Sequence, residues 1–183
     1  DETGRTIKLI GQLTNIHHQK LEEDRLRHEA STDLLTQIYN KITTEHLVSL
    51  ELQEGRNHAL IVVDLDKFKY ANDTFGHLFG DSVIKAVAAT LRATFRATDI
   101  VGRTGGDEFV VLAKDISLSD GLETLKAKCR RLSVELAHVS LGQDYVISAS
   151  IGISLFPRDG KTYAELFAKA DAALYQIKNT GRG

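Results

Sequence analysis

Arg103-Thr104-Gly105-Gly106-Asp107-Glu108-Phe109 sets two glycines and two adjacent carboxylates between apolar runs, Ile100-Val101 before and Val110-Val111-Leu112 after. The pattern predicts a β-hairpin with the glycines at its tip, where they permit positive φ and let a bulky ligand approach the backbone. Two acids on a tight turn repel each other and serve no core. They suit a cation or a reacting hydroxyl held above the turn. A second acidic cluster, Asp64-Leu65-Asp66, ends the apolar run Ala59-Leu60-Ile61-Val62-Val63, the pattern of a strand buried on both faces. Alternation sends Asp64 and Asp66 to one side, and charges at the end of a buried strand are costly unless paired or bound to metal. If the two strands lie side by side, Asp64 and Asp107 form a carboxylate pair of the kind Mg²⁺ takes, leaving its other positions to water and phosphate. Seven scattered histidines and the lone Cys129 do not suit zinc.

Around these acids the spacing predicts helices over about residues 43–51, 81–95, 119–137 and 163–178, and strands over 59–65, on each side of Gly105-Gly106, and over 145–156. In the helix opened by Gly80-Asp81, Val83, Ile84, Val87, Ala88, Leu91 and Phe95 recur at helical spacing. Cys129 shares an apolar face with Leu122, Leu125, Leu132 and Leu136. The order is βαββαβ: an α+β fold, an α/β sandwich with a ferredoxin-like core and helices added at both ends.

The chain has 183 residues, 23 Lys and Arg against 25 Asp and Glu, and a formal charge of −2, so no bulk basic field invites nucleic acid. The length allows one well-cored domain with an appendage. One cysteine excludes a disulfide framework and fits a reducing compartment. No run reaches transmembrane length, no signal peptide is recognisable, and no internal repeat or low-complexity segment interrupts the chain. Methionine is absent even at position 1, which points to a piece of a longer protein.

Taken together, Asp64-Leu65-Asp66-Lys67-Phe68-Lys69, Asn72-Asp73, Gly76-His77, Gly80-Asp81 and Gly105-Gly106-Asp107-Glu108-Phe109 resemble the GGDEF family of diguanylate cyclases. The likeness begins at Asp33-Leu34-Leu35-Thr36 and Asn40. It continues through Ser148-Ala149-Ser150-Ile151-Gly152-Ile153 and Ala170-Asp171-Ala172-Ala173-Leu174-Tyr175 to Lys178 and Gly181-Arg182. It departs at Lys41, where the family usually has Arg. The resemblance implies a GGDEF-type nucleotidyl cyclase fold and a reaction in which two GTP molecules on facing domains of a homodimer become cyclic di-GMP and two pyrophosphates.

It also implies residue roles. Asp64, the Leu65 carbonyl and Asp107 would hold two Mg²⁺ (or Mn²⁺) ions per half-site, and Glu108 or Asp107 would receive the hydroxyl proton. Lys69 joins the catalytic set. Asn72 and Asp81 would read guanine, whose N1–H and 2-amino group form a donor pair that a carboxylate accepts. By position alone Asp81 also reads as an acid near a helix start, favourable to the macrodipole. His77 lies near the nucleotide. Gly105 and Gly106 admit the substrate, the backbone around Phe68 offers N–H groups to phosphates, and Lys178 and Arg182 supply cations. Arg96-Ala97-Thr98-Asp99, with Asp99 six positions before Gly105, matches the family's inhibitory product site for c-di-GMP. Lys128, Arg130 or Arg131 is a candidate helper cation there.

Residues 32–183 would then be the cyclase domain. Residues 1–31, with a short apolar strand pattern over 6–16 and a polar helix over 17–30, resemble the end of a PAS-like sensor and its signalling helix. A cytoplasmic bacterial setting follows, in a sensor protein tethered or not to a membrane, with no nucleic-acid partner and no direct membrane contact by this segment. The rival reading is a catalytically weak GGDEF domain that binds GTP or c-di-GMP as a regulatory or dimerisation module.

Overall fold

A computed structural model describes residues 30–117 and 121–180. Of the expected sensor remnant over 1–31, residues 1–29 lie outside the described residues, as does Arg182. The architecture is built on β1 (His58–Leu65), whose apolar residues are buried on both faces. It lies inside a four-stranded antiparallel sheet of order β2-β3-β1-β4, with β2 at Ile100–Gly105, β3 at Glu108–Ala113 and β4 at Ala149–Phe156.

Alternation divides the strand between two helical layers. Ala59, Ile61, Val63 and Leu65 pack with Val83, Val87 and Leu91 of α3 (His77–Thr94) and Leu125, Leu132 and Leu136 of α4 (Gly121–Ala137). Leu60 and Val62 face the other way, onto Val48 and Leu52 of α1 (Lys41–Leu52) and Leu166, Ala170 and Leu174 of α5 (Tyr163–Thr180). The βαββαβ order and the ferredoxin-like topology are as the periodicity predicts.

The structure departs from the sequence reading chiefly at three places. Residues 68–75, to which no element was assigned, form an eight-residue helix, α2 (Phe68–Phe75), with Lys67 left-handed at its start (φ 55°). The helix expected from residue 81 begins at His77, so Asp81 stands in its second turn and is no N-terminal acid. The alternating strand expected from residue 145 begins at Ala149, because its partner β1 ends at the Leu65–Ala149 pair. The released Tyr145 ring packs instead against Phe75 and Phe79, at centroid distances of 6.2 and 5.7 Å.

Candidate functional site

The hairpin forms as the glycines require. β2 and β3 are joined across Gly106 and Asp107, with Gly106 at φ +44° and Gly105 paired to Glu108. Arg103 braces the turn: its Nε and Nη2 donate to the Gly106 carbonyl at 3.0 and 2.7 Å, and its Nη1 donates to both Asp33 oxygens at 3.1 and 3.2 Å. Asp33 also accepts from the Thr36 N–H at 2.9 Å and the Thr36 hydroxyl at 2.6 Å. Burial alone would raise the Asp33 carboxyl, but the Thr36 hydrogen bonds and the Arg103 guanidinium outweigh it and hold the group below the ordinary carboxylate range.

β1 and β3 do lie side by side. Their register sets Asp64 directly opposite Glu108, and the Leu65 N–H donates to the Asp107 carbonyl at 3.2 Å. Directly opposite residues share a face with Cβ atoms about 4.5–5.5 Å apart, and like charges there repel. Two contacts offset this: the Lys178 ammonium, from α5, pairs with Asp64 Oδ1, and the Thr104 hydroxyl donates to Glu108 Oε2 at 2.9 Å. Asp66 serves differently from its neighbour, since it lies past the strand and accepts from the Ser150 hydroxyl at 2.7 Å. Asp64 and Asp107 at adjacent strand ends, with nearby backbone carbonyls, are hard oxygen donors. They are too few to enclose an ion alone: among the described residues no group of three or more His, Cys, Asp or Glu converges. That donor set fits Mg²⁺ completed by phosphate and water.

α2 and α3 follow β1 directly and pack on each other. The first N–H groups of α2 have no partner inside the helix, so the stretch Phe68-Lys69 presents donors suited to phosphate. Lys69 is exposed on this helix. Gly80 is buried where α2 meets α3, and a Cβ there would stand 1.9 Å from Asn72 Oδ1 and 3.3 Å from Phe68 Cζ. Only glycine lets Asn72 lie against α3, one residue from the exposed Asp81. His77, also exposed, is the first residue of α3. A cleft of about 620 Å³ opens at the end of β1 against β4 and α4, lined among others by Leu65, Asp66, Lys67, Arg130, Ser150 and Lys178.

The Arg96–Asp99 segment forms a turn between α3 and β2, on a separate cavity of about 200 Å³ lined by both residues with Lys114, Thr124 and Lys128. Asp99 is 9% exposed and spends its carboxylate on the backbone, accepting from the Arg96 N–H at 2.8 Å and the Lys114 N–H at 3.0 Å. Arg96 itself is exposed. Of the three candidate helper cations only Lys128 lines this cavity, with its Nζ 5.3 Å above the Phe95 ring. Arg130 lines the larger cleft, and Arg131 pairs with Glu135. The sequence reading gave Arg103 and Gly80 no role of their own, although each stands within four residues of a motif acid.

Comparison with known proteins gives concordant results. Residues 30–183 match the family model for the diguanylate cyclase, GGDEF domain. The chain is 38% identical over 176 residues to the bifunctional diguanylate cyclase/cyclic di-GMP phosphodiesterase MucR of Pseudomonas aeruginosa, covering 96% of this chain and 23% of MucR. It is 37% identical over 181 residues to the diguanylate cyclase DgcP of the same organism, covering 96% of this chain and 26% of DgcP. Among solved structures, the coiled coil and GGDEF domain of DgcB from Caulobacter crescentus, in complex with c-di-GMP, superposes with a TM-score of 0.82 at 26% identity, covering 91% of this chain and 90% of that one. The chain thus spans about a quarter of the length of its two sequence relatives.

Proposed function

The chain belongs to the diguanylate cyclase GGDEF-domain family, and from that premise we propose that residues 32–183 condense two GTP molecules into cyclic di-GMP across a homodimer. The observation that carries this is the register that sets Asp64 opposite Glu108 and ties Leu65 to Asp107. Asp64, Asp107 and Glu108 stand at two adjacent strand ends, where carboxylates serve no core, and the hairpin that bears two of them is held by Arg103.

Asn72 and Asp81 hold the guanine edge, Asp81 by accepting from N1–H and the 2-amino group. The first turn of α2, Lys69 and Lys178 hold the triphosphate, and Arg182 is assigned to it by family likeness. His77 stands beside the bound nucleotide, and Gly105 and Gly106 leave room for it. Asp64, Asp107 and the Leu65 carbonyl would hold divalent ions, which neutralise phosphate charge and lower the barrier to phosphoryl transfer. Glu108, or Asp107, orients the 3′-hydroxyl and accepts its proton as the O3′–Pα bond forms. The bond from Pα to the leaving pyrophosphate breaks and carries its electron pair away. Each half-site presents its hydroxyl to the partner's α-phosphate, so two domains must meet.

By the separate likeness of residues 1–31 to the end of a PAS-like sensor and its signalling helix, the domain would follow such a sensor in a cytoplasmic protein. Among the described residues no helix is long and apolar enough to cross a membrane. The test is incubation with GTP and Mg²⁺ followed by chromatography. One c-di-GMP and two pyrophosphates per two GTP are expected; bound but unconverted GTP would replace this reading with that of a binding module.

A further inference from the structure

Lys178 lies 114 positions from Asp64, at the far end of α5, yet its ammonium is paired with that carboxylate. The two side chains are 31% and 24% exposed, so the pair is only partly screened by water. Asp64 also faces Glu108 across the strand pair, so the site carries excess negative charge. Under the cyclase reading these partners are temporary. A divalent ion is to sit on Asp64, and a triphosphate is to take Lys178.

We propose that Lys178 is a built-in counterion that occupies the metal carboxylate until nucleotide arrives, so that metal and nucleotide load as one event. In the nucleotide-free chain a divalent ion must displace the ammonium to reach Asp64, and the released ammonium finds only water. When the triphosphate is present, the ammonium moves to phosphate oxygens and Asp64 is freed for the ion. The displaced cation then gains a partner of greater charge than the one it left. By linkage the effect is reciprocal: whatever Lys178 subtracts from metal affinity in the empty site it returns when nucleotide binds. The device holds the acidic pair neutral enough to fold and keeps the empty site from filling with metal alone.

The inference rests on the cyclase reading for the ion at Asp64 and the triphosphate at Lys178, and its test does not use turnover. Mn²⁺ binding to the full chain is measured by the electron paramagnetic resonance of the free ion, first without nucleotide and then with a non-hydrolysable GTP analogue. Without nucleotide, Lys178→Gln should bind Mn²⁺ about 5- to 20-fold more tightly than the parent, in the range of typical coupling energies. Lys178→Arg, which keeps the charge, should stay near the parent. Asp64→Asn should lose the gain when combined with Lys178→Gln. With the analogue present the advantage of Lys178→Gln should vanish or reverse. Equal or weaker Mn²⁺ binding by folded Lys178→Gln in the empty site overturns the proposal, even if the protein makes c-di-GMP. Tighter binding by that variant upholds it, even if no c-di-GMP is made.

Discussion

At the scale of single residues, the proposed reaction assigns chemistry to some groups and the holding of those groups to others. Asp107 and Glu108 are adjacent in sequence but differently placed: Asp107 is on the turn, with its carbonyl bound to the Leu65 N–H, and Glu108 starts β3 opposite Asp64. In the proposed reaction, replacing either by Ala removes a metal oxygen or a proton acceptor, and a positioned acid-base group contributes about 10²–10⁴-fold. Asp107→Ala and Glu108→Ala should therefore each lower c-di-GMP formation at least about 100-fold in a chromatographic rate assay, with GTP binding largely kept. Turnover near the parent's in both would end the assignment. Asp81 gives a second expectation. Adenine presents an acceptor at N1 and no 2-amino group, so a carboxylate covered by it is left unpaired at about 1–3 kcal/mol or more. ATP should be a poor competitor of GTP, and equal use of the two would contradict that role. These acids were legible in the sequence because acids at the ends of apolar runs are out of place. Lys178–Asp64 and Arg103–Asp33 were not, since only the folded sheet brings residues 114 and 70 positions apart into contact.

At the scale of elements, legibility followed burial. β1 was readable because it is apolar on both faces, and α3 because its apolar residues repeat at helical spacing. α2 was not read as a helix, although Phe68, Ala71 and Phe75 lie at i, i+3 and i+7. Eight residues give too little periodicity, and only Ala71 of them is buried. The start of β4 was placed too early because alternation persists through Tyr145 and Ile147 after the partner strand has ended. Pairing, not pattern, sets that boundary. α2 and α3 depend on each other through Gly80, and this gives a prediction at their junction. In Gly80→Ala the new methyl meets Asn72 Oδ1 at 1.9 Å and must turn the amide away. The KM for GTP should rise about tenfold, the equivalent of one lost hydrogen bond of about 1.4 kcal/mol, while the melting temperature moves little because the obstacle is a side chain. An unchanged KM would show that Asn72 does not read the base.

At the scale of the molecule, a buried polar network surrounds the start of β1, at the end opposite the acids. His58 is fully buried, accepts the Asp115 N–H on Nδ1 at 3.3 Å, and leaves Nε2 without a hydrogen-bond partner. Burial lowers its pKa below the ordinary 6.5 despite Glu51 and Asp115 nearby. The unfolded chain therefore binds the proton more readily, and stability falls as pH drops below about 6.5. Glu51 acts in a lower window. Burial raises it, but Lys114 and Arg56 outweigh that and hold it below 4.5, so its contribution is present above that value and lost as pH falls through the folded pKa. Urea midpoints should decline in two steps, one below pH about 6.5 and one below about 4.5. A midpoint flat from pH 7 to 5 would remove His58 from the account.

Lys114 and Asp115 connect this network to the Arg96 cavity, and there the two residues of the expected product site divide their work. Asp99 holds two backbone N–H groups, so Asp99→Ala should cost about 1–3 kcal/mol of stability. Arg96 is exposed and its guanidinium is the arm available to a guanine or phosphate. If a stacked product dimer bridges Arg96 to a second domain, it holds the half-sites apart without touching either, and inhibition is non-competitive with GTP. Arg96→Ala should then raise the c-di-GMP concentration that halves the rate by about tenfold or more, the loss expected for a charge-assisted pair of about 1.5–3 kcal/mol. Lys128→Ala, in the same cavity, should act in the same direction. Inhibition that remains as tight in both variants, or that GTP relieves by competition, would leave these residues as surface charges and place product control at the active site itself.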